Sequence, residues 1–282
     1  MRHDWIETFL DLMESRSFNH TADRLDLTQS TVSARVGALE KHLGVRLFRR
    51  SRAGTEPTTE ALRLEPHARN LRLEMRLARR SVEKHGAVAL TLRVSIQNDL
   101  AHAHLGPLVS DLRRLLPQTA LYVEPDYSTQ MCADLITGAQ DFAIVFTPKT
   151  QPGLHFTSVG TIPYRLISNH ARDLSEVMPE RYIMAHFSPI FETAHRTVLP
   201  ALSAAPVSVG QSSAVETLLR EMGGSGYVMA PRAKLMVEQD RFHYVTGAPV
   251  LDQPVYAAMH ERNRTLRSYK QMVKTVQKRL QA

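Results

Sequence analysis

The 282-residue chain holds a single cysteine, Cys132, a single tryptophan, Trp5, and no stretch of about 18 apolar residues of the kind that crosses a bilayer as a helix. With one cysteine no intrachain disulfide can form, and two-cysteine redox switching within one chain is excluded; this usage fits a reducing cytoplasm. The start, MRHDWIETFL, carries acids and soon turns amphipathic, unlike a signal peptide. A soluble, cytoplasmic protein with no membrane partner is expected. Internal repeats and low-complexity segments are also lacking. Cofactor and metal signatures are equally sparse. His102 and His104 are two apart, so a helix would point them in different directions. GGSG at 223–226 has no following lysine and hydroxyl pair to complete a phosphate loop. No Ser/His/Asp order or pair of catalytic carboxylates emerges from spacing, so neither a cofactor nor an enzymatic activity is expected.

What the chain does have is positive charge, unevenly placed. The formal net charge is +7 and the sequence pI about 9.7. Residues 35–86 carry thirteen Lys/Arg against six Asp/Glu, a local net of +7. Such concentration suits a nucleic-acid partner better than a general solubility charge. Within and just before it lies FNHTADRLDLTQSTVSARVGALEKHLGVRLFRRSR, residues 18–52. This reads as a short helix, a turn near Asp26–Thr28, a second helix capped by Thr28, and a basic hairpin. On a helical wheel Val32, Val36, Leu39 and Leu43 form the buried face. Ser30, Ser33, Ala34, Gly37 and Ala38 lie opposite, flanked by Gln29, Thr31 and Arg35. A small, hydroxylic face of this kind can enter a major groove and read base edges, while Arg49, Arg50 and Arg52 meet phosphates. The DNA-contacting set is therefore Thr28, Gln29, Ser30, Thr31, Ser33, Arg35, Arg49, Arg50 and Arg52. Two short helices and a turn alone would be weak evidence; the small polar face and the basic run together make a DNA-reading helix-turn-helix.

SFNHTADRLDLTQSTVSARVGALEKHLGVRLFRR followed by TTEA closely resembles the LysR-type transcriptional regulators over roughly the first 65 residues. Leu62 departs from the glycine usual after the TEA motif. The resemblance implies an α/β protein overall: an N-terminal all-α winged helix-turn-helix, a long linker helix, and a C-terminal two-lobed α/β effector domain resembling periplasmic binding proteins. It also implies a double-stranded DNA operator, a small-molecule effector and a homodimer or homotetramer, with RNA polymerase as a possible further partner.

The expected domains are 1–58, 59–86 and 87–282, with one lobe at about 87–162 and 266–282 and the other at about 163–265. An initial helix with Trp5, Ile6, Phe9, Leu10 and Met13 on one face packs behind the reading helices. AGTEP forms the wing tip. A helix from 59 to about 84 carries Ala61, Leu64, Ala68, Leu71, Met75, Ala78 and Val82 at heptad-like spacing; the resemblance implies that this seam dimerises antiparallel. Pro66 should kink it or mark its true first turn, and Gly86 ends it. Strand and helix periodicities then alternate to DFAIVF, predicting a parallel β-α-β-α-β lobe. Further strands are expected near 164–168, 182–185, 206–209 and 227–230, with helices at 213–222 and 265–280, the last packing back on the first lobe.

In open α/β sheets, ligands bind beyond the carboxyl ends of strands, near helix N-termini. That rule selects Asn98, Ser128, Thr129, Thr147 and Gln211 as effector contacts, with capping as the alternative role of Ser128 and Ser212. Asp99 nearby opposes a purely anionic ligand, which leaves the effector's charge open. Two other readings are an α/β enzyme fused to a DNA-binding head, and an architectural DNA-binding dimer without ligand. On the regulator reading, Arg50→Ala should weaken binding to specific and random duplexes alike and shallow the salt dependence. A mobility-shift titration across salt concentrations checks this; unchanged affinity for both duplexes would contradict the phosphate role.

Overall fold

The computed structural model describes residues 2–51, 54–82, 90–149 and 151–281. The chain divides into two compact units, residues 1–85 with 136–139, and 86–135 with 140–282.

In the amino-terminal unit, α1 (His3–Ser15), α2 (Phe18–Arg24) and α3 (Gln29–Leu43) precede a hairpin of β1 (Phe48–Ser51) and β2 (Gly54–Pro57), followed by α4 (Thr59–Val82). Phe9, Leu10 and Leu12 of α1 are fully buried with Leu39 of α3, Leu47, and Ala61 and Ala68 of α4. Val32 and Val36 are buried as the wheel requires, but Leu43 is 38% exposed. It is the last residue of α3, and the chain turns away at Gly44 (φ 72°) before anything covers it. Between α2 and α3 the backbone needs a left-handed residue, and Asp26 supplies it at φ 53°, a conformation that short polar side chains tolerate and branched ones do not.

The wing differs from the sequence reading. GTEP, expected as a turn, is strand β2, paired antiparallel with β1 from Phe48–Pro57 to Ser51–Gly54. Arg52 and Ala53 lie outside the described residues, as do Lys84 and Gly86. Helix α4 starts at Thr59 and runs through Pro66, so the proline does not mark its first turn. Its start is set by Thr58, whose Oγ1 accepts from Ala61 N at 3.2 Å and donates to the Arg46 carbonyl at 2.8 Å. The expected seam divides in function. Ala61, Leu64 and Ala68 belong to the head core, whereas Leu71 and Met75 are 41% and 42% exposed.

The second unit contains β3 (Leu90–Gln97), α5 (Asn98–Leu115), β4 (Thr119–Asp126), α6 (Ser128–Thr137), β5 (Phe142–Val145), β6 (Leu154–Ser168), β7 (Tyr182–Ala185), α7 (Pro189–Val198), β8 (Val207–Val209), α8 (Ser212–Met222), β9 (Ser225–Met229), α9 (Ala230–Gln239), β10 (His243–Tyr244), β11 (Leu251–His260) and α10 (Arg267–Gln281). Strands follow the order β4-β3-β5-β11-β6-β9-β7-β8, with β10 beside β6. β3 is parallel to β4 and β5, giving the expected parallel first lobe. The second lobe is built on β9, β7 and β8, also parallel. The fold class is thus the expected one: a helical head with a hairpin wing and a two-lobed α/β unit.

The strand expected at 164–168 is only the end of β6, fifteen residues long. It pairs antiparallel with β11 through both lobes, slipping register once at Val255/Tyr256. β11 escaped the sequence reading because its buried residues include Gln253, and because Ala257, Ala258 and Met259 are buried in succession, which blurs the strand period. Helices α7 and α9 were also unanticipated; α9 begins at Ala230, expected as the end of a strand. α10 packs back on the first lobe. Met272 and Val276 are buried there, and Arg279 pairs with Asp111 of α5.

Replacing Asp26 by a β-branched residue forces that side chain into a left-handed backbone. Asp26→Val should destabilise the head by about 1–2 kcal/mol, while Asp26→Gly should be tolerated. Urea denaturation followed by Trp5 fluorescence, which reports on this small core, checks both.

Candidate nucleic-acid interface and interlobe cleft

Helix α3 presents its small face because its apolar face is spent on the head core. Thr28 caps it, its Oγ1 accepting from Thr31 N at 3.2 Å and lying 2.9 Å from Ser30 Oγ. Gln29 and Ser30 are exposed on the first turn, and Thr31 is half-buried. Ser33, Gly37, Arg46, Phe48 and Arg49 line an open groove of about 620 Å³ between α3 and the wing. Arg49 is exposed on β1. Arg50 is also on β1, with its side chain outside the described residues, and Arg52 lies outside them altogether.

Arg35 sits elsewhere. Its Nε is 3.6 Å from Asp4 Oδ2 and its Nη1 donates to Thr8 Oγ1 at 3.4 Å, so its guanidinium is held against α1. Its place on the wheel, between the buried and outer faces, allows either direction, and Asp4 decides it. Two residues of the site were missed. Arg46 lines the groove and is largely exposed; its position in the basic run GVRLFRR was the available signal. Glu40 Oε1 accepts from Leu47 N at 2.7 Å and from Phe48 N at 3.2 Å, tying the end of α3 to the first wing strand. A lone glutamate on a basic helix carries no sequence signal for such a strut.

The second unit carries the cleft. Ser128 is saturated: its Oγ donates to Gln97 Oε1 at 2.8 Å and accepts from Phe146 N at 3.0 Å and Thr147 N at 3.2 Å. It fastens α6 to the ends of β3 and β5, and none of its three partners is an amide of its own helix, so it acts as a tie between elements and not as the cap that was the alternative. Thr147 is thereby held at this junction, and Thr129 is exposed on the next helical position. Gln211 reaches across the cleft, its Nε2 donating to Tyr127 Oη at 3.0 Å. Asn98 lines a cavity of only about 10 Å³ together with Asp99, His102, Ala103, Ser212, Ser213, Glu216, Met229 and Arg232. The five selected residues therefore do not share one chamber. Ser128 and Thr147 form one cluster, while Asn98 and Gln211 flank the closed contact between α5 and α8.

Two further links cross between the lobes. Ser212 N donates to Asp99 Oδ1 at 2.6 Å. Ser188, the cap of α7, donates to Gln253 of β11, whose Nε2 reaches the Phe146 carbonyl at 3.3 Å. Burial pushes the Asp99 carboxyl up to about 6, against the opposing effect of the Ser212 amide. Among the described residues no group of His, Cys, Asp and Glu is arranged to hold a metal ion, and no helix is long and apolar enough to cross a membrane.

Residues 3–62 match the family model for bacterial regulatory helix-turn-helix proteins of the lysR family, and residues 85–281 match that for the LysR substrate binding domain. The chain is 28% identical over 264 residues to the HTH-type transcriptional regulator HdfR of Salmonella typhimurium, covering 91% of each chain. Among solved structures, ArgP from Mycobacterium tuberculosis is similar at a TM-score of 0.60 and 18% identity, over 98% of this chain and 96% of that one. Full-length LysG from Corynebacterium glutamicum with bound effector Arg is similar at a TM-score of 0.51 and 19% identity, over 99% of this chain and 98% of that one.

Removing the Glu40 strut leaves two backbone amides without their acceptor. Glu40→Ala should cost about 1–3 kcal/mol of head stability and weaken duplex binding, with Glu40→Gln partly restoring both. Denaturation and mobility-shift titrations of the three chains check this; identical curves would show that the wing holds its place without the carboxylate.

Proposed function

The chain belongs to the LysR family of bacterial regulatory proteins, and from that premise we propose how its parts divide the work of a DNA-binding transcriptional regulator with an effector-binding domain. The head inserts α3 into the major groove of an operator. Ser30, Ser33 and the first-turn residues Gln29 and Thr31 read base edges, and Arg46, Arg49, Arg50 and Arg52 contact phosphates. The groove between α3 and the wing, walled by Ser33, Arg46 and Arg49, is the observation that carries this reading. Arg35 supports the helix through Asp4 and Thr8.

Two heads are brought to one operator by pairing of α4. Leu71 and Met75, one turn apart and both exposed, supply the apolar surface beyond the part of the helix committed to the head. The effector enters between the lobes, near Asn98 and Gln211. LysG, a protein of the same fold, has been seen with Arg as its bound effector, which supports a small-molecule role for this unit. The closed contact at Ser212 and Asp99 means that entry requires the lobes to part. Effector and operator then alter each other's affinity by the same factor.

Genomic mapping of binding sites, followed by mobility shifts on the recovered sequences, tests the regulator reading; no preference for any duplex would sink it. The double variant Leu71→Asp/Met75→Asp should shift sedimentation toward monomer and lower operator affinity by at least about tenfold, because one head then binds without the second. An unchanged assembly state would move the interface off α4.

A further inference from the structure

Resting on the reading that a small molecule enters between the lobes, we infer that this effector carries a primary ammonium group, and that Asp99 is the residue that receives it. A helix N-terminus ordinarily attracts anions through its free N–H groups. At α8 that seat is already taken from within the chain, because Asp99 Oδ1 accepts the Ser212 amide at 2.6 Å. An anionic ligand arriving there would meet a carboxylate already seated on the first of these amides.

Asp99 is 5% exposed, and its second oxygen, Oδ2, is buried without a hydrogen-bond partner among the described residues. The Ser212 hydroxyl, on the same cavity wall, is in the same condition. So is the Tyr164 hydroxyl, which is fully buried and lies within the electrostatic reach of Asp99. The cation that lines the cavity is already engaged: Arg232 grips Glu216 through contacts of 2.7, 3.0 and 3.2 Å. Arg220, behind it, bonds Asp240 at 3.0 Å. His102 is exposed at the rim. Asp99 is thus the uncompensated charge of the site.

The Asp99 carboxylate and the Ser212 hydroxyl share one small cavity, and the Tyr164 hydroxyl lies within electrostatic reach of Asp99; a primary ammonium brings the opposite charge and three N–H donors to such a set. Size agrees as well. The cavity of about 10 Å³ is on the scale of a single water molecule by that measure, which is also the scale of an ammonium headgroup. A carboxylate or guanidinium does not fit it without further opening. The remainder of the ligand would leave past Asn98 and His102.

The test uses the full-length protein near neutral pH, where simple amines are protonated. Thermal shift and calorimetry are run with ethanolamine, putrescine and lysinamide, and in parallel with succinate, benzoate and phosphate at matched ionic strength. The amines should stabilise the protein and the anions should not. Asp99→Asn keeps an oxygen for the Ser212 amide but removes the charge, and should weaken amine binding by at least about tenfold. Tyr164→Phe, which removes one acceptor and leaves the charge, should weaken it by less. Binding of anions but not amines would overturn the ammonium assignment while leaving the effector reading intact. Indifference to both sets would overturn both, and amine binding undiminished in Asp99→Asn would remove Asp99 from the site.

Discussion

The antiparallel pairing of β6 with β11 is the constraint on which the carboxy-terminal unit depends. These strands run side by side through both lobes, and the parallel strands of each lobe extend outward from them. Their backbones share one hydrogen-bond ladder, so the two lobes meet along a fixed line and strand ends from each are brought face to face. That geometry explains why residues far apart in the chain, such as Asp99 and Ser212, become partners. It also explains why Gln253 is buried in the middle of a strand. Its amide takes the Ser188 hydroxyl from one lobe and donates to the Phe146 carbonyl of the other, so a polar side chain in the core is satisfied at both ends.

The head solves a different problem. A surface that enters a groove must be small, but a helix must also bury enough apolar area to stay in place. α3 meets both demands by placing Val32, Val36 and Leu39 inward and serines, alanine and glycine outward. The wing is then oriented by Glu40 and the Thr58 hydroxyl, each bonding backbone at the start of the hairpin. Arg46 and Arg49 stay exposed at the edge of this assembly, where a polyanion can reach them.

Much of this could be read from the sequence because the determinants are local. Thr28 lies three residues from the amide it caps, and the apolar positions of α3 repeat within one helix. The parallel first lobe was equally visible, since β3, α5, β4 and α6 carry their own periods and β5 is a short, wholly buried apolar run. What escaped reading was decided by distant partners. Arg35 could have pointed outward, and Asp4 of α1, distant in sequence, holds it against that helix. Ser128 has the composition of a ligand contact, but three partners brought together by the sheet occupy it fully. The Asp99–Ser212 bond joins residues 113 positions apart, a separation over which no local pattern carries information. β11 was hidden because a glutamine occupies one of its buried positions and because Ala257, Ala258 and Met259 are buried in succession, which interrupts the alternation.

Pro66 removes one rung of the backbone ladder of α4, the one that would end on the Leu62 carbonyl. Such a gap is ordinarily the compliant point of a helix. Here it lies between Ala61 and Ala68, both fully buried in the head core with Leu64 packed beside them. The weak point is therefore clamped inside a solid body, and the exposed length beyond it is free of proline. On the proposed reading, α4 then works as a drive shaft keyed into the head. A twist applied near Leu71 and Met75 cannot be dissipated at the proline, and must turn the recognition surface with it.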